Sequence, residues 1–311
     1  MKVSIVMTTY NGACFLSEQL NSLLMQTRKA DEVLILDDCS KDETVSIIRR
    51  FIEDNSLSHW KLIVNKKNIG FNANFRKGLF ESSGDIVFMC DQDDIWKVNK
   101  IEKMLFMLKE DILLLASGFD VIDAKDHIQD MNKNLIGSKM DEKGLYKIDI
   151  KNLLRNNFAQ GCTMAVRKDL IELLKKDKLC CLEHDWSLAI LAALKDGCYF
   201  YNEALIEYRI HGDNTIGFEK MDHKRRNQRL LSRKKIILEE KKRVDFALQY
   251  LMYDEYLNLM KDYLDLRIEC IDTFSPLKLI ISCLKRFRNV ADWHALLGDL
   301  ISMTGFVRKS S

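Results

Sequence analysis

Ile86-Val87-Phe88-Met89-Cys90-Asp91-Gln92-Asp93-Asp94-Ile95-Trp96 passes from an apolar strand straight into three carboxylates within four positions. Like charges a few ångströms apart resist joint ionisation, and a bound cation relieves the repulsion. An oxygen-rich set suits Mg²⁺ or Mn²⁺, which bind one or two carboxylates together with substrate phosphates. The plainer reading is an acidic turn capping a helix that begins near Trp96. The stretches on either side weigh between the two.

Upstream, apolar runs alternate with helix-period segments, the pattern of βαβ units and a mostly parallel sheet. Val3 to Thr8 reads as a strand, and Phe15, Leu16, Gln19, Leu20, Leu23 and Leu24 recur at helical spacing. Glu32 to Leu36 is a second strand ending at Asp37-Asp38, and Ser40-Lys41-Asp42-Glu43 reads as a capping box opening a helix. Trp60 to Val64, Ile86 to Met89 and Leu113 to Phe119 are further strands, with helices over Asn72 to Ser82 and around Ile101, Met104, Leu105 and Leu108. Ligands of open α/β sheets bind outside the carboxyl ends of the strands. Those ends carry Thr9-Tyr10-Asn11-Gly12, Asp37-Asp38, Asn68-Ile69-Gly70 and Asp91-Gln92-Asp93-Asp94. Asp37-Asp38 with Ser40 alone reads equally as a turn and cap, and Gly12 and Gly70 alone read as turn glycines. Together the four sets predict a polar ligand site.

The chain has no G-x-G-x-x-G and no G-x-x-x-x-G-K-[ST], which disfavours a dinucleotide and excludes a P-loop. A carboxylate such as Asp38 can accept the imide N–H of uracil or thymine while the acidic cluster holds a metal on a diphosphate. That combination points to a nucleotide-sugar.

Val3 to Gly12, Leu36 to Thr44, Asn68-Ile69-Gly70 and Cys90 to Trp96 together resemble family 2 glycosyltransferases with the GT-A fold, over roughly residues 1 to 215. The resemblance implies a Rossmann-like α/β domain, a mostly parallel central sheet flanked by helices, over residues 1–218. A basic, amphipathic helical appendage would follow over 219–311. It further implies inverting, non-processive hexosyl transfer from a nucleotide diphosphate. Carried over by position, Asp91 and Asp93 form the DxD metal motif for Mg²⁺ or Mn²⁺. The nucleotide-sugar set is Thr9, Tyr10, Asn11, Asp38, Asn68, Gly70, Asn74, Asp91, Gln92 and Arg209. The Cys-Asp-Gln-Asp-Asp-Ile-Trp wording is most similar to bacterial rhamnosyltransferase-type members that build surface polysaccharides. It leans towards a UDP- or dTDP-sugar, dTDP-rhamnose included, with a glycan or lipid-linked acceptor. Cys39 stands where many members have Gly, so the turn is expected to differ in detail.

Asp120 to Lys143 reads as a polar loop, Gly144 to Ile150 as a strand and Asn152 to Asn157 as a short helix. The segment Asn157 to Val166 resembles the part of the family where acceptor and donor sugar meet. Asp185, at the start of a helix over Ser187 to Leu194, is either an N-cap or the general base that deprotonates the acceptor hydroxyl. The resemblance favours the base, with Glu183 as substitute. In Tyr208-Arg209-Ile210-His211 the two basic residues share one face of an extended segment. The resemblance gives Arg209 the diphosphate and His211 the metal shell or a phosphate.

Lys plus Arg (48) against Asp plus Glu (46) gives +2 over 311 residues, so nothing suggests nucleic acid. His223 to Arg243 is basic, and Leu277 to Ile301 mixes apolar residues with Lys and Arg. These stretches suit peripheral contact with anionic lipid, packing on the catalytic domain, or homo-oligomerisation through the C-terminal helices. The cysteines number nine, with no CxxC, and the N-terminal apolar run is too short for a signal peptide. No stretch reaches the roughly 18 apolar residues of a span. A cytoplasmic enzyme, peripheral on the inner membrane face or free of it, is therefore expected. The alternatives are a sugar-1-phosphate nucleotidyltransferase, which would need a Gly-rich basic loop absent from Thr9 to Gln19, a receiver-like phospho-acceptor, and a non-catalytic scaffold of glycan assembly.

Overall fold

The computed structural model describes residues 1–129, 144–157, 160–177, 182–211, 233–251, 254–273 and 275–304. The chain divides into two compact units, Met1–Gly217 and Phe218–Ser311. In the first, the strands are β1 (Val3–Thr9), β2 (Glu32–Asp37), β3 (Trp60–Val64), β4 (Ile86–Cys90), β5 (Ile95–Trp96), β6 (Leu114–Asp123), β7 (Leu145–Lys147), β8 (Met164–Arg167) and β9 (Cys198–Ile210). Its helices are α1 (Leu16–Leu24), α2 (Thr44–Asp54), α3 (Phe71–Glu81), α4 (Lys100–Met107), α5 (Ile150–Leu153), α6 (Lys168–Leu174) and α7 (His184–Ala193).

One sheet holds all these strands in the order β3-β2-β1-β4-β8-β6-β9-β5, with β7 also on β9. The expected parallel character holds for β3-β2-β1-β4 and for β6 beside β9, while β8, β5 and β7 pair antiparallel. Every residue of β1, β2 and β4 is buried, as helix-covered parallel strands require. Register places Thr9 opposite Asp37 and Asp37 opposite Val64, with Met7 opposite Cys90. The carboxyl ends of β1, β2 and β4 therefore open along one edge. Helix α3 lies close against them at Gly78, where a Cβ would come within 2.4 Å of Val6 Cγ1.

Several local expectations change: β6 runs on to Asp123, into the expected loop, and α5 covers Ile150–Leu153 where Asn152 to Asn157 was expected. Ser40 does not cap a helix. Helix α2 starts at Thr44 behind Glu43, and Asp42 accepts the Thr44 N–H at 3.0 Å. The helix expected near Trp96 begins only at Lys100, because Ile95 and Trp96 pair with Glu207 and Ile206 of β9. Residues 130–143, within the expected loop, and 158–159 lie outside the described residues.

The second unit contains α8 (Arg233–Leu248), α9 (Glu255–Asp272), α10 (Pro276–Lys285) and α11 (Trp293–Thr304). Its core includes Ile237, Val244, Phe246, Met260, Tyr263, Leu264 and Leu279. Buried Asp299 accepts from Arg267 Nε at 2.6 Å and Arg233 Nε at 2.9 Å. Deleting one partner of such a pair costs about 3–5 kcal/mol. The expected basic helix from His223 falls outside the described residues up to 232. Beyond it, Lys234 pairs with Asp272, Lys241 with Asp265 and Lys242 with Glu239. Among the described residues no helix is long and apolar enough to cross a membrane.

Candidate active site

The loops after β1 and β2 are tied to each other through side chains. Thr9 Oγ1 donates to Asp37 Oδ2 at 3.0 Å, and the Ser40 N–H donates to Asp37 Oδ1 at 2.9 Å. The N–H groups of Asn11, Gly12 and Ala13 donate in turn to Ser40 Oγ (2.9 Å), Thr44 Oγ1 (2.9 Å) and Asp42 Oδ2 (3.1 Å). Asn11 Oδ1 accepts the Lys41 N–H at 2.8 Å. Cys39 sits at φ 69. The left-handed turn is thus kept without glycine, at a cost of roughly 1–2 kcal/mol. This is why Gly is expected there.

Asp38 is 3% exposed and organises the next loop. Its Oδ1 accepts from Asn65 Nδ2 (3.0 Å) and the Ile69 N–H (2.9 Å), and its Oδ2 accepts the Gly70 N–H (2.8 Å). Asn68 Oδ1 also accepts the Gly70 N–H, at 3.0 Å. Gly70 holds φ 85 and ψ 151, a region essentially confined to glycine. Asn74 is buried, with Nδ2 on the Leu36 carbonyl (2.8 Å) and Oδ1 accepting from Asn65 (2.9 Å).

In the acidic turn, Gln92 clasps the Tyr10 backbone: its Oε1 accepts the N–H at 2.8 Å and its Nε2 donates to the carbonyl at 3.2 Å. Asp93 Oδ2 meets His211 Nε2 at 2.8 Å. Asp94 is 1% exposed, and its Oδ1 accepts the Arg209 N–H at 3.2 Å. The Arg209 guanidinium holds the turn from behind. It donates to the Asp93 carbonyl (2.8 Å), the Asp123 carbonyl (3.3 Å), Glu18 Oε2 (2.7 Å) and Asp126, and lies 4.6 Å over the Phe15 ring.

Burial and the Asp93 charge push Asp91 up, and burial with the Asp93 and Asp91 charges pushes Asp94 up as well. Lys100, fully buried, lies 3.6 Å over the Trp96 ring and donates to the Cys162 carbonyl at 2.7 Å. Burial pushes it down to about 8.

Asp185 enters from the first turn of α7, whose N-cap is Glu183. Its Oδ1 accepts the Trp186 N–H at 2.7 Å and its Oδ2 accepts from Asn157 Nδ2 at 3.1 Å. Burial raises its pKa despite these donors. Gly161 is the spacer: a Cβ there would lie 3.1 Å from His184 Nε2 and 3.5 Å from Asp185 Cβ. The Sγ of the next residue, Cys162, lies within 4.8 Å of an Asp91 carboxylate oxygen, so the Gly161–Cys162 turn lies against both Asp185 and Asp91. His184 stacks on Phe75 at 4.3 Å between ring centroids, and burial, then the Arg76 charge, pushes it down to about 3. It is a neutral wedge.

The family model described as "Glycosyl transferase family 2" matches residues 4–174, more than half of the chain. The chain belongs to glycosyl transferase family 2. An uncharacterized glycosyltransferase of Rickettsia prowazekii is 30% identical over 222 residues, 68% of this chain and 65% of that protein. The chain spans about two thirds, or slightly less, of the first such relatives. The dTDP-rhamnosyl transferase RfbG of Shigella flexneri is 28% identical over 228 residues, 68% of this chain and 73% of that one. Among solved structures, S. aureus TarS in complex with UDP-GlcNAc aligns with a TM-score of 0.57 at 16% identity. That alignment covers 97% of this chain and 89% of TarS, and it shows the shared fold.

Within this member of glycosyl transferase family 2 the expected residues separate into two layers. Tyr10, Asn11, Asn68, Gly70, Asp91, Gln92, Asp93, Asp185 and His211 line the strand-end edge or the loops that reach it. Thr9, Asp38, Asn74 and Arg209 are buried, and their polar ends meet, respectively, Asp37, then Asn65 with the Ile69 and Gly70 N–H groups, then Asn65 with Leu36, and the acidic turn. Asn157, Gly161 and Cys162 lie in the segment expected where acceptor and donor sugar meet, without individual roles assigned there, whereas Lys100 and His184 stand out only through their packing on the Cys162 carbonyl with Trp96 and on Phe75.

Proposed function

We propose that the chain is a metal-dependent, inverting, non-processive glycosyltransferase of bacterial surface polysaccharide synthesis. It moves a sugar from a UDP- or dTDP-sugar, with dTDP-rhamnose the leading candidate, to a glycan or lipid-linked acceptor. The observation that supports this reading is the Gly161–Cys162 turn, which packs on Asp185 through Gly161 and lies within 4.8 Å of an Asp91 oxygen through the Cys162 sulfur. Asp185 takes the proton of the acceptor hydroxyl as that oxygen attacks the anomeric carbon from the face opposite the diphosphate. Burial makes it a stronger base than an ordinary aspartate.

Asp91, Asp93 and His211 would hold Mg²⁺ or Mn²⁺. Two carboxylates and one imidazole fit such an ion, and Asp93 and His211 already converge at 2.8 Å. The ion supplies charge neutralisation for the departing diphosphate. Arg209 positions the turn rather than meeting phosphate, because its guanidinium is committed to the Asp93 carbonyl, Glu18 and Asp126.

Asp38 already accepts three hydrogen bonds. A carboxylate offers about four lone-pair sites, so one remains for the imide N–H of uracil or thymine. Calorimetry in Mn²⁺ is expected to show UDP or dTDP binding tighter than GDP. GDP binding tighter than both would overturn the base assignment.

Peripheral contact with anionic lipid belongs to the same reading. Leu277, Ile281 and Leu284 form a stripe on α10, exposed at 72%, 50% and 58%, with Lys278 and Lys285 beside it. Ile281→Asp should reduce co-sedimentation with phosphatidylserine vesicles at low salt. Equal sedimentation of variant and wild type would remove this part of the proposal.

A further inference from the structure

At the acidic turn lies a second group of ligating atoms, which the donor site uses only through Asp91. One oxygen each of Asp91 and Asp94 and the Cys162 sulfur lie within 4.8 Å of one another. Neither Asp93 nor His211 belongs to this group, and only Asp91 is shared. Cys162 is 0% exposed and Asp94 1%, whereas Asp91 is half-buried and in part open to solvent. Asp94 Oδ2 has no hydrogen-bond partner of ordinary geometry. The Cys162 sulfur lies within 4.8 Å of an oxygen of Asp94 and of Asp91. The buried amine of Lys100 donates to the Cys162 carbonyl at 2.7 Å.

We propose that Asp91, Asp94 and Cys162 form a thiol-bearing cation site, selective for Zn²⁺ or Cd²⁺ over Mg²⁺. The chemistry of the set decides the metal: thiolate sulfur favours zinc and cadmium, and Mg²⁺ keeps to oxygen. Zn–S of about 2.3 Å and Zn–O of about 2.1 Å in a tetrahedron place ligand atoms roughly 3.5 Å apart. The triad therefore has to close by about an ångström. Binding forms one metal–sulfur and two metal–oxygen bonds and releases the thiol proton, with any proton held by the carboxylates, to solvent. Water takes the fourth position. Because Asp91 is shared, Zn²⁺ here withdraws it from the donor metal, so the site is inhibitory. That last consequence rests on the proposed role of Asp91, whereas the binding itself does not.

The test uses the full chain, stripped of metal and titrated with Cd²⁺ in the absence of nucleotide. Exposed Cys14 and half-buried Cys39 are also free thiols, so the signal is the wild-type minus Cys162→Ser difference. A thiolate-to-cadmium charge-transfer band corresponding to one site is expected in that difference, together with at least tenfold weaker Zn²⁺ binding by Cys162→Ser. Asp94→Asn keeps every thiol and should weaken Zn²⁺ at least tenfold, which keeps the test open if the Ser variant folds poorly. Identical cadmium bands in wild type and Cys162→Ser, or unchanged Zn²⁺ affinity in Asp94→Asn, would overturn the proposal. Mn²⁺-supported UDP binding is measured separately on the wild type. Failure of UDP to bind wild type would count against the donor site and leave the zinc result standing.

Discussion

Asp185→Asn lowers kcat by two decades or more while leaving UDP affinity within a few-fold of wild type. Asparagine keeps the acceptor for the Trp186 N–H, which Asp185 now meets at 2.7 Å. The fold of α7 is therefore retained. What is lost is a group able to take a proton, and positioned acid–base groups contribute roughly 10²–10⁴-fold. The pH profile carries the same signature. A general base must be ionised, so kcat falls as pH drops through its pKa, and burial places that limb above the ordinary aspartate value of 3.8. Steady-state kinetics on both proteins checks this. Activity within a few-fold of wild type would move the base elsewhere, with Glu183 the next residue to replace.

Asp93→Ala has a comparable effect by a different route. It removes the carboxylate that meets His211 at 2.8 Å and leaves the carbonyl on which Arg209 Nε rests at 2.8 Å. The turn keeps its backbone anchor and loses a metal ligand, so turnover should fall by at least two decades. The loss should appear in Mn²⁺-supported donor binding as well as in kcat, unlike the Asp185 variant. Wild-type turnover by Asp93→Ala in excess EDTA would exclude a metal role for this residue.

The strands and the edge they open onto were legible because β1, β2 and β4 are buried on both faces and end abruptly in polar residues. Period and punctuation carry that information. The capping box misled because a Ser-x-x-Glu pattern records only which side chains are available. Here Ser40 has a stronger use, joining Asp37 to the Asn11 N–H. Asp38 could be read as a ligand group but not as the anchor of the Asn68–Gly70 loop, since its three donors come from residues distant in the chain. Arg209 misled in the same sense. A basic residue beside an acidic site suggests a phosphate, yet its guanidinium is buried among Glu18, Asp126 and two carbonyls. The segment holding Cys162 could be read by resemblance, but the individual parts of Cys162 and His184 could not. Their meaning depends on the Gly161 contact that brings α7 to the acidic turn, a tertiary event with no local period.

The most direct measurement is release of UDP or dTDP from a panel of their sugar conjugates, with a glycan or lipid-linked acceptor, in Mn²⁺ and then in EDTA. At least one donor should be turned over in Mn²⁺, stop in EDTA and resume when Mn²⁺ is restored. Turnover undiminished by EDTA, or turnover of GDP-sugars alone, would contradict a donor site built from Asp38, Asp91 and Asp93.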